Sequence, residues 1–357
     1  MRQSPASPSR ARFTPRLRAA FVAILVAAAG GTTLAGSPAS AASAAPSGDT
    51  TQFRGVNWAD PRDNFADDPV VLSGLSTSDS YDQTYAKASR IISGFRANLG
   101  ANTVRLPINP YTVGGAYWKS YRGVIDAASD KGFKVILSYW EGTGPRKDGF
   151  IDDPATFWPM WNTVVDAYKD DKQVYFEPMN EPHGYTDTEW ADIAAKWLAT
   201  YPSVPRNRVF VSGAGYNDHV TSVCADPRLD GTYLSLHHYG FWKDYATYDQ
   251  WVADLKARIG DCANRTVADE FGAPMTTGLN YNKPAPSNNY INYVQAVTDT
   301  FRELKMGSVY WPGLRTDDTY TLQTLTGDPA RPSLATTNQS GADRLAWGWG
   351  RGKPVRP

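Results

Sequence analysis

Val174-Tyr175-Phe176-Glu177-Pro178-Met179-Asn180-Glu181-Pro182 begins as a β-prone run, Val174–Glu177, and then turns polar. Seven other short runs of this kind punctuate the chain: Phe53–Asn57, Thr103–Leu106, Lys134–Tyr139, Val209–Ser212, Tyr233–His237, Thr266–Glu270 and Ser308–Trp311. Longer amphipathic stretches separate them near Tyr81–Leu99, Tyr117–Lys131, Pro154–Lys169, Thr188–Tyr201, Tyr248–Ile259 and Asn289–Lys305, and a poorly marked one follows Gly215. Strand-length and helix-length patterns in alternation describe a parallel sheet wrapped by helices. Eight units over roughly 260 residues fit an α/β fold, the (β/α)₈ TIM barrel. Residues 51–316 are expected to form it.

The two ends follow other patterns. Arg2, Arg10, Arg12, Arg16 and Arg18 precede an apolar run from Ala19 to Ala29, and small residues follow, ending in Ala39-Ser40-Ala41 and Ala42-Ser43-Ala44. That order reads as a secretory signal peptide over residues 1–41. The apolar run of about 11 residues is well short of the roughly 20 a bilayer-spanning helix needs. Arg16-Leu17-Arg18 lacks paired arginines, which favours the general secretion route. Residues 42–50 then form a Ser/Ala/Pro linker. Beyond the barrel, Thr319–Leu325 and Arg344–Trp349 look β-prone around the turn-rich Thr326–Asp328 and Asn338–Gly341. Residues 317–357 are therefore expected to be a β hairpin or extension packed on the barrel, too short for a second domain of ordinary size.

Basic and acidic residues both number 36, and without residues 1–41 they number 31 and 36. The exported chain is mildly acidic and carries no basic block, which argues against nucleic acid or an anionic membrane surface as a partner. Cys224 and Cys262 are the two cysteines, and in an oxidising compartment a disulfide is their simplest use. They lack C-x-x-C spacing and the chain has only four histidines, so no structural zinc site is expected.

Two carboxylates stand at strand ends. Asn180-Glu181 follows the fourth run, and Glu270 closes the seventh in Val267-Ala268-Asp269-Glu270-Phe271-Gly272. In such barrels the C-terminal rim is where active sites are built. Two glutamates reaching in from different strands can converge on one glycosidic bond, and a pair about 5–5.5 Å apart performs double displacement through a covalent glycosyl-enzyme. The two roles need opposite environments. The acid must be kept protonated by burial or a negative neighbour, and the nucleophile must be kept ionised by donors. Arg105, in Thr103-Val104-Arg105-Leu106-Pro107, presents fixed N–H groups for that purpose, and Tyr239 adds another donor. Asn180 is placed to hydrogen-bond a sugar hydroxyl beside the scissile bond. Glu177 is expected inside the barrel, where a buried glutamate needs a partner such as Arg105.

These segments resemble glycoside hydrolase family 5, the cellulase-like group among retaining barrels. Asn180-Glu181-Pro182 is similar to the family's acid/base motif on strand four, and Glu270-Phe271-Gly272 resembles its nucleophile motif on strand seven. His237-His238-Tyr239 matches the His-x-Tyr segment after strand six, Trp311 the sugar-platform tryptophan after strand eight, and Arg105 the arginine after strand two. The resemblance covers nearly all of residues 53–311. It implies an extracellular retaining β-glycosidase with Glu181 as general acid/base and Glu270 as nucleophile, supported by Arg105, Asn180, His237, Tyr239 and Trp311. It implies no metal and no organic cofactor. The expected partner is a carbohydrate, bound by a monomer. Aromatic residues make up 13% of the chain, and Trp58 and Trp140, just past strand ends, are candidates for further ring stacking against sugar faces.

The chain also departs from the family pattern. Where a histidine often follows strand three, it reads Leu137-Ser138-Tyr139-Trp140-Glu141-Gly142, which makes Glu141 a competing carboxylate. Asp269 replaces the glycine often found before the nucleophile and either tunes the site or faces away. A β-linked glucan or related plant polysaccharide is the first expectation for substrate. The long first loop, Asp60–Ser80, would wall off one end of a cleft and favour chain ends or short substrates, whereas an open groove would suit cleavage within a chain. Two other classes stay open: a carbohydrate-binding barrel without turnover, and a metal-dependent hydrolase using His237, His238 and Asp269.

Overall fold

The computed structural model describes residues 49–244 and 247–352; the signal-peptide reading and most of the linker lie outside the described residues. Eight strands, β1 (Arg54–Trp58), β2 (Thr103–Ile108), β3 (Lys134–Tyr139), β4 (Val174–Glu177), β5 (Phe210–Ser212), β6 (Tyr233–Tyr239), β7 (Thr266–Gly272) and β8 (Gly307–Leu314), form one sheet. They pair in parallel, in the order β4-β3-β2-β1-β8-β7-β6-β5. The outer strands meet where Phe176 of β4 bridges Val209 at the start of β5, so the sheet closes into the expected (β/α)₈ barrel. Around it run α1 (Tyr81–Leu99), α2 (Pro110–Val113), α3 (Trp118–Asp130), α4 (Pro154–Tyr168), α5 (Asp187–Thr200), α6 (Ala214–Asn217), α7 (Thr221–Ala225), α8 (Tyr248–Ile259) and α9 (Asn289–Glu303).

Local sequence sets where these helices begin. Ser80 with Gln83, Thr186 with Glu189 and Thr247 with Gln250 each form a reciprocal capping box at the start of α1, α5 and α8. Each box satisfies two backbone or side-chain groups that would otherwise lack partners, a contribution of about 1 kcal/mol per cap. None of the described helices is long and apolar enough to cross a membrane.

Strand parity then fills the barrel in layers. Near its N-terminal end Phe53, Ile136, Tyr175, Phe210, Tyr233, Val267 and Val309 form one buried cluster. The Phe53 ring meets Tyr175, Phe210 and Tyr233 edge-on at 5.1, 5.1 and 4.9 Å. Two residues further along the same strands stand Ser138, Glu177, Ser212, Ser235, Asp269 and Trp311, because inward-facing side chains recur with period two. An apolar floor thus supports a polar layer.

The tail departs from expectation. The hairpin exists, but it pairs β9 (Gln323–Asp328) with β10 (Arg331–Thr336), and Arg344–Trp349 falls mostly in a helix, α10 (Gln339–Gly348). Asn338, expected in a turn, instead caps α10 by accepting from the Gly341 N–H. Leu334 of β10 packs so closely on α1 that a Cβ at Gly94 would come within 2.9 Å of it. Cys224 and Cys262 form the expected disulfide, across a separation of 38 residues. A loop that long is worth about 4 kcal/mol in the chain-entropy account.

Candidate active site

At the C-terminal rim the polar layer converges on Arg105. Its Nε and Nη2 donate to Glu177 at 2.6 and 2.9 Å, its Nη1 donates to Glu270 Oε2 at 2.9 Å, and Nη2 also reaches Asn180 Oδ1 at 2.8 Å. One guanidinium thereby orients the neighbours of both candidate glutamates. Tyr239 Oη donates to the other Glu270 oxygen at 2.7 Å. His237 Nδ1 lies 2.8 Å from Glu181 Oε1 and 3.7 Å from Glu270 Oε1. One oxygen of each glutamate and a His237 ring nitrogen all lie within 4.8 Å of one another. The backbone is shaped to allow this. Glu181 sits at φ 47°, and its N–H is held by Asn217 Oδ1 at 3.1 Å, Asn217 itself being at φ 52°. Such left-handed geometry is uncommon for a glutamate and points to a site whose surroundings hold it in place.

Charge is divided unequally between the two carboxyls. Burial pushes Glu181 up to about 8, with the charge of Asp63 adding to it, so its proton persists at neutral pH. It still keeps 16% of its side chain open to the cleft. Burial also raises Glu270, but His237, Arg105 and the Tyr239 hydroxyl oppose the shift. Burial holds His237 down to about 4, so its imidazole is neutral. A protonated carboxyl beside a donor-stabilised carboxylate can give a proton and a nucleophile to the same bond.

The cleft above these groups encloses about 370 Å³. Trp311 and Trp140 stack with centroids 5.5 Å apart, and Phe65, Trp242 and the exposed Phe241 extend the aromatic lining. Arg315 ties Asp63 of the first loop to Asp318 beyond β8, at 2.8 and 2.7 Å, so that loop does wall part of the cleft. A second hollow of about 430 Å³, bordered by α8, α9 and Arg344 of α10, has no comparable convergence of acid and base groups.

Several expectations need correction. Trp58 does not face the cleft. Strand parity turns Asn57 inward and Trp58 outward, where it is fully buried with its indole N–H on Ser73 O at 2.9 Å. His238 Nε2 pairs with Asp254 at 2.9 Å, away from His237, so His237, His238 and Asp269 do not assemble a metal site. Glu177, His237 and Asp269 do converge, but Arg105 already supplies the cation there. Glu141, raised to about 7 by burial, accepts from the Asp148 and Gly149 N–H groups through Oε2, which ties it to its own loop. Asp269 does not face away; it lies fully buried behind the pair, accepting from Ser235 Oγ at 2.6 Å. Asn57, Ser235 and Asn217 support the site and went unread. Only strand parity could have flagged the first two, and nothing in the sequence marks Asn217.

A barrel with paired glutamates and an aromatic cleft at its C-terminal rim defines a glycoside hydrolase. Residues 64–313 match the cellulase family, glycosyl hydrolase family 5. The chain belongs to that family, and a carbohydrate substrate accords with it. Endoglucanase A of Butyrivibrio fibrisolvens is 31% identical over 135 residues, 35% of this chain and 30% of that protein, so the chain spans under a third of this relative. The catalytic domain of the major endoglucanase from Xanthomonas campestris pv. campestris superposes with a TM-score of 0.63 at 17% identity, over 87% of this chain and 99% of that one. An endocellulase from Pyrococcus horikoshii gives 0.60 at 16%, over 83% and 92%. XacCel5A in complex with cellopentaose gives 0.53 at 18%, over 71% and 90%. At these identities the structures establish the shared fold.

Proposed function

We propose that this glycoside hydrolase is a secreted, retaining enzyme that cuts a β-linked glucan, with β-1,4-glucan the first substrate to try. The observation that carries the mechanism is the pair Glu181 and Glu270, with carboxyl oxygens within 4.8 Å and with Arg105 and Tyr239 donating directly to Glu270 alone. That spacing is shorter than the roughly 6.5–9.5 Å of an inverting pair and suits direct attack on the sugar. Glu270, ionised against Arg105 and Tyr239, attacks the anomeric carbon as Glu181 protonates the departing oxygen. Glu181 then takes a proton from water, which displaces Glu270 and restores the original anomeric configuration. Asn180 Nδ2 is buried with no hydrogen-bond partner, which fits a donor awaiting a sugar hydroxyl beside the scissile bond. Trp311, stacked on Trp140, offers a platform for a pyranose face.

Substrate class is supported by the family and by relatives named as endoglucanases. Secretion is supported by the leader-like residues 1–41 and by the Cys224–Cys262 disulfide, which persists in oxidising compartments. In this reading residues 51–316 are the catalytic barrel and the rest of the mature chain packs on it or links to it. The test is hydrolysis of aryl β-glycosides, soluble β-glucans and β-mannans, with product anomers followed by NMR. Glu270→Gln and Glu181→Gln should each lower turnover at least about 10³-fold while the far-ultraviolet spectrum stays unchanged. Full activity in either variant, or inversion at the anomeric carbon, would overturn the mechanism.

A further inference from the structure

We propose that the cleft is closed at the end that holds the sugar under attack and open at the leaving-group end, so that the enzyme releases one or two sugars at a time from the non-reducing end of a β-glycan. Arg315 is the specificity-determining residue of that arrangement. The inference rests on the roles proposed for Glu181 and Glu270.

Those roles give the cleft a direction. The group that protonates the departing oxygen stands beside the leaving sugar, and the sugar under attack lies over the nucleophile. Glu181 is held by the loops after β4 and β5. Its N–H donates to Asn217 at 3.1 Å, its carbonyl meets His183 Nδ1 at 3.0 Å, and the His183 ring stacks on Tyr216 with centroids 4.0 Å apart. Tyr216 thus marks the leaving-group end. Strand β7, which carries Glu270, has β6 on one flank and β8 on the other. The β5–β6 flank holds Tyr216 and Phe241, and the β8–β1 flank holds Trp311 and Arg315.

The two flanks are built differently. On the β8–β1 side, Arg315 Nη1 bonds Asp63 and Asp318 at 2.8 and 2.7 Å, while its Nε and Nη2 both reach Pro61 O at 3.3 Å. Lys147, from the loop after β3, lies 4.0 Å from Asp63 and 3.5 Å from the centre of the Phe65 ring, and Phe65 meets Trp140 edge-on at 4.9 Å. Asp63 and Asn64 sit at φ 67° and 64°, and Asn64 Oδ1 accepts from the Asp60 N–H at 2.8 Å, so the loop after β1 turns tightly here. Loops after β1, β3 and β8 are thereby stitched together. One exposed ion pair adds little, but several converging ones over a buried ring hold a wall. That wall also presents carboxylate acceptors and guanidinium donors suited to the hydroxyls of a terminal sugar. On the β5–β6 side, Phe241 stacks on Tyr239 at 4.8 Å yet is 58% exposed, and Tyr216 is 49% exposed. These are the two most exposed large apolar side chains among the described residues, and flat rings open to water suit the faces of sugars that leave.

The test gives the full chain cellohexaose tagged with a fluorophore at its reducing end, or the equally tagged hexasaccharide of whichever β-glycan the hydrolysis panel selects. The first products should be untagged mono- or disaccharide with tagged pentamer or tetramer, and the soluble polymer should lose little viscosity per bond cut. Untagged trisaccharide or longer among the first products would overturn the proposal. Arg315→Ala unties the wall. It should bring untagged trisaccharide into the first products and raise kcat/KM for the polymer about tenfold relative to that for the hexasaccharide; an unchanged pattern would remove Arg315 from its role. Phe241→Ala should raise KM for the hexasaccharide about fivefold more than KM for the glycosyl fluoride of the same released sugar, whose leaving group carries no ring. Equal changes on both would show that the leaving chain lies elsewhere and would reverse the assigned direction. If Arg315→Ala does not fold, the wild-type product pattern decides. Hydrolysis of no β-glycan at all would fell the roles of Glu181 and Glu270 and this inference with them, whereas internal cutting that Glu270→Gln abolishes would fell this inference alone.

Discussion

Two successive rungs of this barrel are carried by the same strands, two residues apart, and behave oppositely. The lower one, built on Phe53, Tyr175, Phe210 and Tyr233, is made of rings and aliphatic side chains that pack against one another. Its hydroxyls lie at the edge, as where Tyr233 accepts from Gln52 at 2.8 Å. The upper one sets a single guanidinium among Glu177, Asp269 and Glu270. Hydrophobic packing tolerates small errors of position, whereas buried charges leave a large deficit when any partner goes missing. The floor therefore supplies stability without chemistry, and the layer above it holds poised charges at the expense of stability.

The strongest way to break this contrast is to remove the cation. Arg105→Met should cost about 3–5 kcal/mol, because Glu177 and Glu270 would be left buried and uncompensated. The loss in kcat/KM should reach about 10³-fold as Glu270 loses its donor. Urea unfolding and steady-state kinetics measure the two effects, and adding Glu177→Gln should return part of the stability but none of the activity. An Arg105→Met chain as stable as its parent would mean that the upper rung is not under electrostatic tension at all. The floor makes the opposite prediction. Phe53→Ala should cost a similar 3–5 kcal/mol by opening a cavity, yet leave kcat/KM at 25 °C within about twofold. A large kinetic effect there would show that the two rungs are mechanically coupled.

The same contrast explains what was legible in the sequence. The eight strands and both glutamates could be read because the apolar rung makes each strand visible and the motifs mark where it ends. The strand ends could be read for β3, β4 and β5, which stop at Tyr139, Glu177 and Ser212 as expected, but not for the rest. The β-prone runs stop at Leu106, His237, Glu270 and Trp311, whereas the strands continue to Ile108, Tyr239, Gly272 and Leu314. Polar inward residues interrupt the apolar pattern at the point where the site begins. Trp58 was misassigned for want of parity: with Asn57 facing in, the next residue must face out. Asn217 had no signal, since its role depends on positive φ at both Asn217 and Glu181. Asn338 could serve equally as a turn residue or a helix cap, and only tertiary packing selected the cap.

A smaller effect sharpens the comparison by asking how much the rim itself costs. Glu181 titrates at about 8 in the folded chain, against an ordinary value of 4.5. Because the folded state holds the proton more tightly than the unfolded one, this group's contribution to stability is fully present below about pH 4.5. It is lost progressively as pH rises through about 8, where the buried carboxyl must ionise. The difference in melting temperature between wild type and Glu181→Gln should therefore shift against the wild type across that interval and level off beyond it. The shift should be less than that of Phe53→Ala, because the open face of Glu181 lets water screen the charge. The alkaline limb of kcat/KM should fall in the same range, since in the mechanism proposed above the proton that stabilises the fold is the one delivered to the departing oxygen. If the two melting profiles ran parallel while the alkaline limb stayed near pH 8, the acid governing turnover would be some other group. The line between a stabilising floor and a chemically poised rim would then have to be drawn through different residues.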